Sequence, residues 1–262
     1  MDIVVFLKMV PDVVEELVIG EDGKSLDTQS LRMRLSDPDE HALEEAVILK
    51  EKFGGTVTVV AMEAPEVEEV LFTAFAKGAD RAVKLPGDWS RIQAPAIARL
   101  FASLFSSGSQ QLTAQTLILL GSQAIDDLEG EVVPYLAEIL GVPYVGVVTA
   151  IRLDEEKRKA IVMKEFAGGL RGEFELPLPA VLGMQAAEKP PRYVPVAKVR
   201  SIMKSARIET VEVSPPEIVS GLCVDRLFMP EVTGKAEMLE GSAAEVSARI
   251  IEILAERGLI GR

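Results

Sequence analysis

The stretch Thr116-Leu117-Ile118-Leu119-Leu120-Gly121-Ser122-Gln123-Ala124-Ile125-Asp126-Asp127 decides how this chain folds. Its first five residues are apolar or β-branched throughout, as in a strand buried on both faces of a parallel sheet. Gly121 follows at once, and an amphipathic pattern continues past Glu131, predicting a helix over 126–140. A glycine between a buried strand and a helix lets a ligand approach the backbone closely. The first turn of such a helix offers unpaired N–H groups and the positive end of its dipole. Together these make an anion site, most often for a phosphate or pyrophosphate. On spacing alone, a plain strand-to-helix turn has the same form.

The same alternation repeats outward from this stretch. Residues 2–8 are rich in β-branched types and predict a buried strand. Glu21-Asp22-Gly23 marks a turn between two short β-like runs. Asp37 or Asp39 can cap a helix that places Ala42, Ala46 and Leu49 on one face and ends at Gly54-Gly55. Strands follow over 56–61 and 81–85, and helices over 65–77 and 92–105. Strands alternating with helices of this length predict an α/β fold, a doubly wound and mostly parallel sheet of Rossmann-like type. After Val142 come four strand-like runs, 144–153, 159–166, 172–176 and 179–184, which suggest an antiparallel addition at the sheet edge. Residues 185–200 read as an irregular surface loop, 205–241 as an aperiodic arm, and 243–259 as an amphipathic helix bearing Val246, Ile250, Ile251 and Leu254. The division expected is a domain over 1–204 and a partner-contacting C-terminal arm and helix over 205–262.

Composition narrows the function. The 262 residues carry 28 Lys and Arg against 41 Asp and Glu, a net charge of −13. So acidic a chain is a poor partner for nucleic acid or an anionic membrane surface. The one cysteine, Cys223, cannot form an internal disulfide or a metal cluster, and the one histidine, His41, removes the usual zinc and triad chemistry. His41 itself reads as solvated or locally bonded. No apolar run approaches the ~20 residues that span a bilayer. No signal peptide is visible, and the expectation is a cytoplasmic chain without direct membrane insertion.

Several blocks in order carry a resemblance. Val4-Val5-Phe6-Leu7-Lys8-Met9-Val10-Pro11-Asp12, Asp37-Pro38-Asp39-Glu40-His41-Ala42-Leu43-Glu44-Glu45-Ala46, Ala76-Lys77-Gly78-Ala79-Asp80-Arg81-Ala82, the Gly121 to Asp127 string, and Pro191-Arg192-Tyr193 with Ile202-Met203-Lys204 resemble the β subunit of electron-transfer flavoproteins. They cover about the first 205 residues, and the tail after Pro215 is similar to that of longer members. The resemblance implies a heterodimer with an α subunit whose FAD moves the electrons between dehydrogenases and an acceptor. This chain would then perform no bond chemistry; it would bind an adenine nucleotide, AMP, and dock a dehydrogenase redox partner. In flavin-bifurcating members a second FAD takes the place of AMP and accepts hydride from NADH, and Val132 and Pro134 resemble that subgroup. Non-redox alternatives are a nucleotide-binding module of universal-stress type, against which the Pro-Arg-Tyr signature speaks, and an ATP-activating enzyme, which would want a basic glycine-rich loop.

The resemblance also implies site residues. Gly121, Ser122, Gln123, Ala124, Ile125, Asp126 and Asp127 would hold the nucleotide through backbone groups, with the acidic pair ordering the turn. Gly130, Glu131, Val132 and Val133 stand where many members carry Asn-Gln-Thr-Gly, so a hydroxyl is missing and Glu129 and Glu131 set two carboxylates near the expected phosphate. Ser36, Asp37, Pro38 and Asp39 match the second nucleotide-facing turn, with Pro38 in place of an aromatic. Phe6, through its backbone, and Met62 and Glu63 fall at further contact positions. Glu188, Lys189, Pro191, Arg192 and Tyr193 form the partner-docking loop, with Glu188, beside Ala186 and Ala187, where the family has a protruding leucine.

Overall fold

The computed structural model describes residues 1–27, 31–89, 92–127, 130–154, 156, 158–214, 224–230, 236 and 238–260. In chain order the elements are β1 (Asp2–Leu7), β2 (Met9–Pro11), β3 (Met33–Leu35), α1 (Asp37–Phe53), β4 (Thr56–Met62), α2 (Val67–Lys77), β5 (Arg81–Leu85), α3 (Ala94–Ser106), β6 (Thr116–Gly121), α4 (Val132–Leu140), β7 (Tyr144–Asp154), β8 (Lys159–Glu165), β9 (Arg171–Pro177), β10 (Ala180–Met184), α5 (Val196–Ile202), β11 (Glu209–Thr210) and α6 (Ala243–Glu256). The chain divides into two compact units, Met1–Asp225 and Arg226–Arg262.

The first unit is an α/β domain around a nine-stranded sheet in the order β11-β5-β4-β1-β6-β10-β7-β8-β9. All pairs from β11 to β7 are parallel; β7-β8 and β8-β9 are antiparallel. The period of two along β1 builds both layers. Ile3, Val5 and Leu7 enter one core with Ala42, Leu43 and Leu49 of α1 and Leu71 of α2. Val4 and Phe6 enter the other, with Leu100, Phe101 and Leu104 of α3 and Leu136 of α4. The chain therefore winds from β1 to β5 over one face and returns to β6 over the other, which makes the sheet doubly wound.

Several local expectations change. α4 opens at Val132 instead of at Asp126. The reason is a turn: the Gly130 N–H donates to Asp127 Oδ1 at 3.2 Å, and Gly130 takes φ +63°, a conformation that interrupts a right-handed helix. Neither Asp37 nor Asp39 is the cap of α1; Ser36 occupies that position, and Pro38 lies within the first turn. Among the described residues, the two β-like runs around Glu21 to Gly23 meet in an isolated bridge, Ile19 to Leu26, while β2 and β3 pair as a separate antiparallel ribbon. The antiparallel addition is β7, β8 and β9, but β10 leaves it and inserts between β6 and β7 as a parallel strand. Its five residues are all buried, which suits an interior strand better than an edge.

The stretch 185–200 ends in helix, since α5 begins at Val196 after the extended Pro195. The body also continues past residue 204. β11 pairs with β5, and Arg81 donates two hydrogen bonds to Glu209, at 3.0 and 2.8 Å. In the second unit, α6 opens with a capping box between Ser242 and Glu245, and none of its residues is buried. Among the described residues, no helix is long and apolar enough to cross a membrane.

Candidate functional site

β1 and β6 are hydrogen-bonded neighbours whose following helices, α1 and α4, lie on opposite faces. The crevice outside the carboxyl ends of two such strands is where open α/β sheets take ligands. Here it is lined by Phe6, Leu7 and Lys8 from the end of β1 and by Met62 from β4. Leu120, Gly121, Ser122, Ala124 and Asp127 come from β6 and its loop. Asp39, Ile97, Phe101, Val132 and Val133 come from three helices.

Asp39 ties this corner together. Its Oδ2 accepts the Lys8 N–H at 3.0 Å and its Oδ1 accepts the Gly121 N–H at 2.6 Å, so one carboxylate joins α1 to β6 and to the residue after β1. Burial pushes the Asp39 carboxyl up to about 6; the two backbone N–H groups and the Lys8 charge pull it down. Gly121 serves the same junction. A Cβ on it would stand 2.7 Å from Pro38 Cβ and 2.9 Å from both Asp39 N and Asp39 Oδ1. The space beside Gly121, expected for a ligand, is thus taken by the first turn of α1.

The loop that follows is ordered by its own polar groups. The Ser122 N–H donates to the Met184 carbonyl at 2.8 Å, and its hydroxyl accepts the Val147 N–H at 3.0 Å. Gln123 Nε2 donates to the Asp127 carbonyl at 2.9 Å, and the Asp127 N–H to the Ala124 carbonyl at 3.0 Å. Of the acidic pair, Asp127 orders the turn through Gly130. Asp126 instead accepts from Lys8 Nζ at 2.6 Å. Glu131 is the N-cap residue of α4, without a side-chain cap bond. Glu129 and Cys223 lie outside the described residues.

Nine residues named from sequence therefore line one crevice: Phe6, Asp39, Met62, Gly121, Ser122, Ala124, Asp127, Val132 and Val133. The Phe6 side chain is a core residue, stacked on Phe101 with ring centroids 4.0 Å apart. Ser36 is buried beside Asp39. Others turn elsewhere. Asp37 is exposed and pairs with Arg34, and Ile125 is exposed. Glu63 pairs with Lys84 at 3.3 Å and accepts the Gly87 N–H, contacts that hold its carboxyl below the usual range. Sequence reasoning missed Lys8, whose one signal was a lone charge closing an apolar strand.

The loop 185–193, expected from the sequence to dock a partner, is clamped onto α1. His41 Nδ1 accepts the Ala187 N–H at 3.1 Å, Glu45 Oε2 the Glu188 N–H at 2.8 Å, and Glu44 Oε2 the Arg192 N–H at 2.9 Å. Arg192 Nε bonds Glu44 Oε1 at 2.9 Å while the guanidinium NH groups reach Glu51 at 2.6 and 3.1 Å. The Glu188 carboxylate pairs with Lys52. His41 is thus a bonded acceptor, not a solvated side chain. Glu44 and Glu45 are buried, and burial pushes the Glu45 carboxyl up; hydrogen bonds from Arg192 hold Glu51 down. These acids were missed, though two glutamates inside the apolar run from Ala42 to Ala46 were a signal. The charges of Glu188 and Arg192 are engaged with α1, while Lys189 and Tyr193 stay exposed, Tyr193 at 84%.

Residues 24–217 match the family model described as the electron transfer flavoprotein domain. The chain is 31% identical to the electron transfer flavoprotein subunit beta of Methylophilus methylotrophus, over 98% of each chain. It is 29% identical to the subunit of the same name from Dictyostelium discoideum, again over 98% of each. It is also 29% identical to the caffeyl-CoA reductase-Etf complex subunit CarD of Acetobacterium woodii, over 99% of this chain and all of that one.

Proposed function

This chain belongs to the electron transfer flavoprotein β-subunit family, and from that premise we propose that it holds AMP in the crevice between β1 and β6 while pairing with an FAD-carrying α subunit. The family is one of electron-transfer subunits, and a flavin belongs to its chemistry. In the proposed heterodimer the FAD of the α subunit carries the electrons between a dehydrogenase and an acceptor, and AMP fills a structural place.

The observation that carries the reading is the gathering of nine separately named residues at the one point where the winding of the sheet reverses. A nucleotide would lie across the mouth of this crevice, since the apolar side chains behind it, Phe6, Ile97, Phe101 and Leu120, are buried in the core. The start of α4, at Val132 and Val133, brings the positive end of a helix dipole to the same crevice. The loop 185–193, stiffened by α1, would present Lys189 and Tyr193 to the redox partner. The arm and α6, with its apolar side chains unburied, would lie on the α subunit.

A second reading keeps the assembly but puts a second FAD in place of AMP, within a flavin-bifurcating complex. It draws on Val132 and Pro134 and on the A. woodii relative, named as a subunit of a reductase-Etf complex. Co-expression with the α subunit encoded in the same genome, followed by extraction and counting of nucleotides, tests both. One FAD and one AMP per heterodimer is expected. Two FAD would favour the second reading. A chain that neither pairs with the α subunit nor retains a nucleotide would overturn both.

A further inference from the structure

We infer that Lys8 is the residue that reads the phosphate of the bound nucleotide, exchanging part of its contact with Asp126 for the ligand; the inference rests on the nucleotide reading above. Among the described residues lining the crevice, Lys8 is the one cation. The charges around it are acidic: Asp39 beneath its backbone, Asp126 on its ammonium and Asp127 in the same lining. In a chain of net charge −13, a phosphate entering this crevice needs a counter-charge. Among the described residues, two further cations of this unit have partners outside the lining. Arg34 pairs with Asp37, and Lys84 with Glu63 and Glu68.

Lys8 is built to change partners without moving the fold. Its backbone is held by Asp39, so its Cα is fixed and only the side chain need turn. Its present partner is a loop carboxylate whose side chain is 36% exposed, and ion pairs that open to water are weak. The ammonium is a compact charge with three donors on a flexible stem, so it can keep Asp126 on one proton and offer the others to phosphate oxygens. Val132 and Val133 bring the start of α4 to the same crevice, so the helix dipole and the lysine act on one place. The carboxylates around it make the lysine necessary. Without it, a nucleotide would be held by its nucleoside part against like charge.

The test compares AMP with adenosine by calorimetry on the full-length chain in its complex with the α subunit, stripped of nucleotide. Lys8→Met should weaken AMP at least about tenfold, the loss of one charge-assisted contact, and leave adenosine unchanged. Lys8→Arg should retain the preference for AMP. Asp126→Asn should hold or raise AMP affinity, since it removes a negative charge and frees the ammonium. AMP binding undiminished in Lys8→Met, an equal loss of AMP and adenosine, or weaker AMP binding in Asp126→Asn would each overturn the role of Lys8 while leaving the nucleotide reading in place. A wild-type complex that binds neither ligand would overturn both.

Discussion

Asp39 bonds two backbone N–H groups from separate strand ends, and its chemistry is set by that position. Burial raises its folded pKa above the ordinary value, to about 6. A group raised in this way stabilises the fold most below its unfolded pKa, near 3.8, and the contribution is lost as pH rises through about 6. Between those limits it corresponds to up to about 3 kcal/mol. Asp39→Asn removes the titration and leaves one of the two N–H donors facing an amide NH2 group. Urea unfolding at pH 4 and pH 7 should therefore show the wild-type chain losing stability relative to the asparagine variant as pH rises. A stability difference that does not change with pH would mean an ordinary carboxyl.

α1 is the element that joins the two halves of the proposed function. Its first turn closes the crevice through Asp39, and later positions, from His41 to Lys52, hold the loop 185–193. The anchors differ in weight because they differ in burial. Glu44 is buried with Arg192 as its ion-pair partner, whereas Glu51 is exposed. Arg192→Ala would leave the Glu44 carboxylate in the interior with a single backbone donor, at a cost of about 2–3 kcal/mol. Amide exchange at residues 187, 188 and 192 should quicken markedly in that variant. Glu51→Gln should change it little, since exposed ion pairs contribute little. Equal protection in the wild-type chain and Arg192→Ala would show that the backbone bonds alone hold the loop.

At the scale of the whole molecule, a cut after Ser214 keeps every strand of the nine-stranded sheet, including β11. The chain ending there should unfold at a midpoint close to that of the full chain but bind the α subunit more weakly. A cut after Lys204 removes β11 and with it the paired Arg81–Glu209 contact, and should lower the midpoint measurably. Thermal unfolding followed by circular dichroism separates the two. A shorter chain that fails to fold when cut at 214 would place the arm within the core.

What the sequence determined by itself is whatever its local pattern encodes. The strand over 81–85 coincides with β5, Gly54 and Gly78 close α1 and α2, and the β-branched run at the N-terminus is buried on both faces. Hydrophobic period and glycine placement act within a few residues, so they are legible along the chain. Only the tertiary structure decided what distant segments do to one another. It put the first turn of α1 where Gly121 lacks a side chain, carried Lys8 across to a carboxylate 118 residues away, and set His41 and Glu44 against a loop 146 and 148 residues further on. It also slid β10 between β6 and β7. Each of these depends on which surfaces meet after collapse, where a buried polar atom must find a partner, and no local period records that meeting.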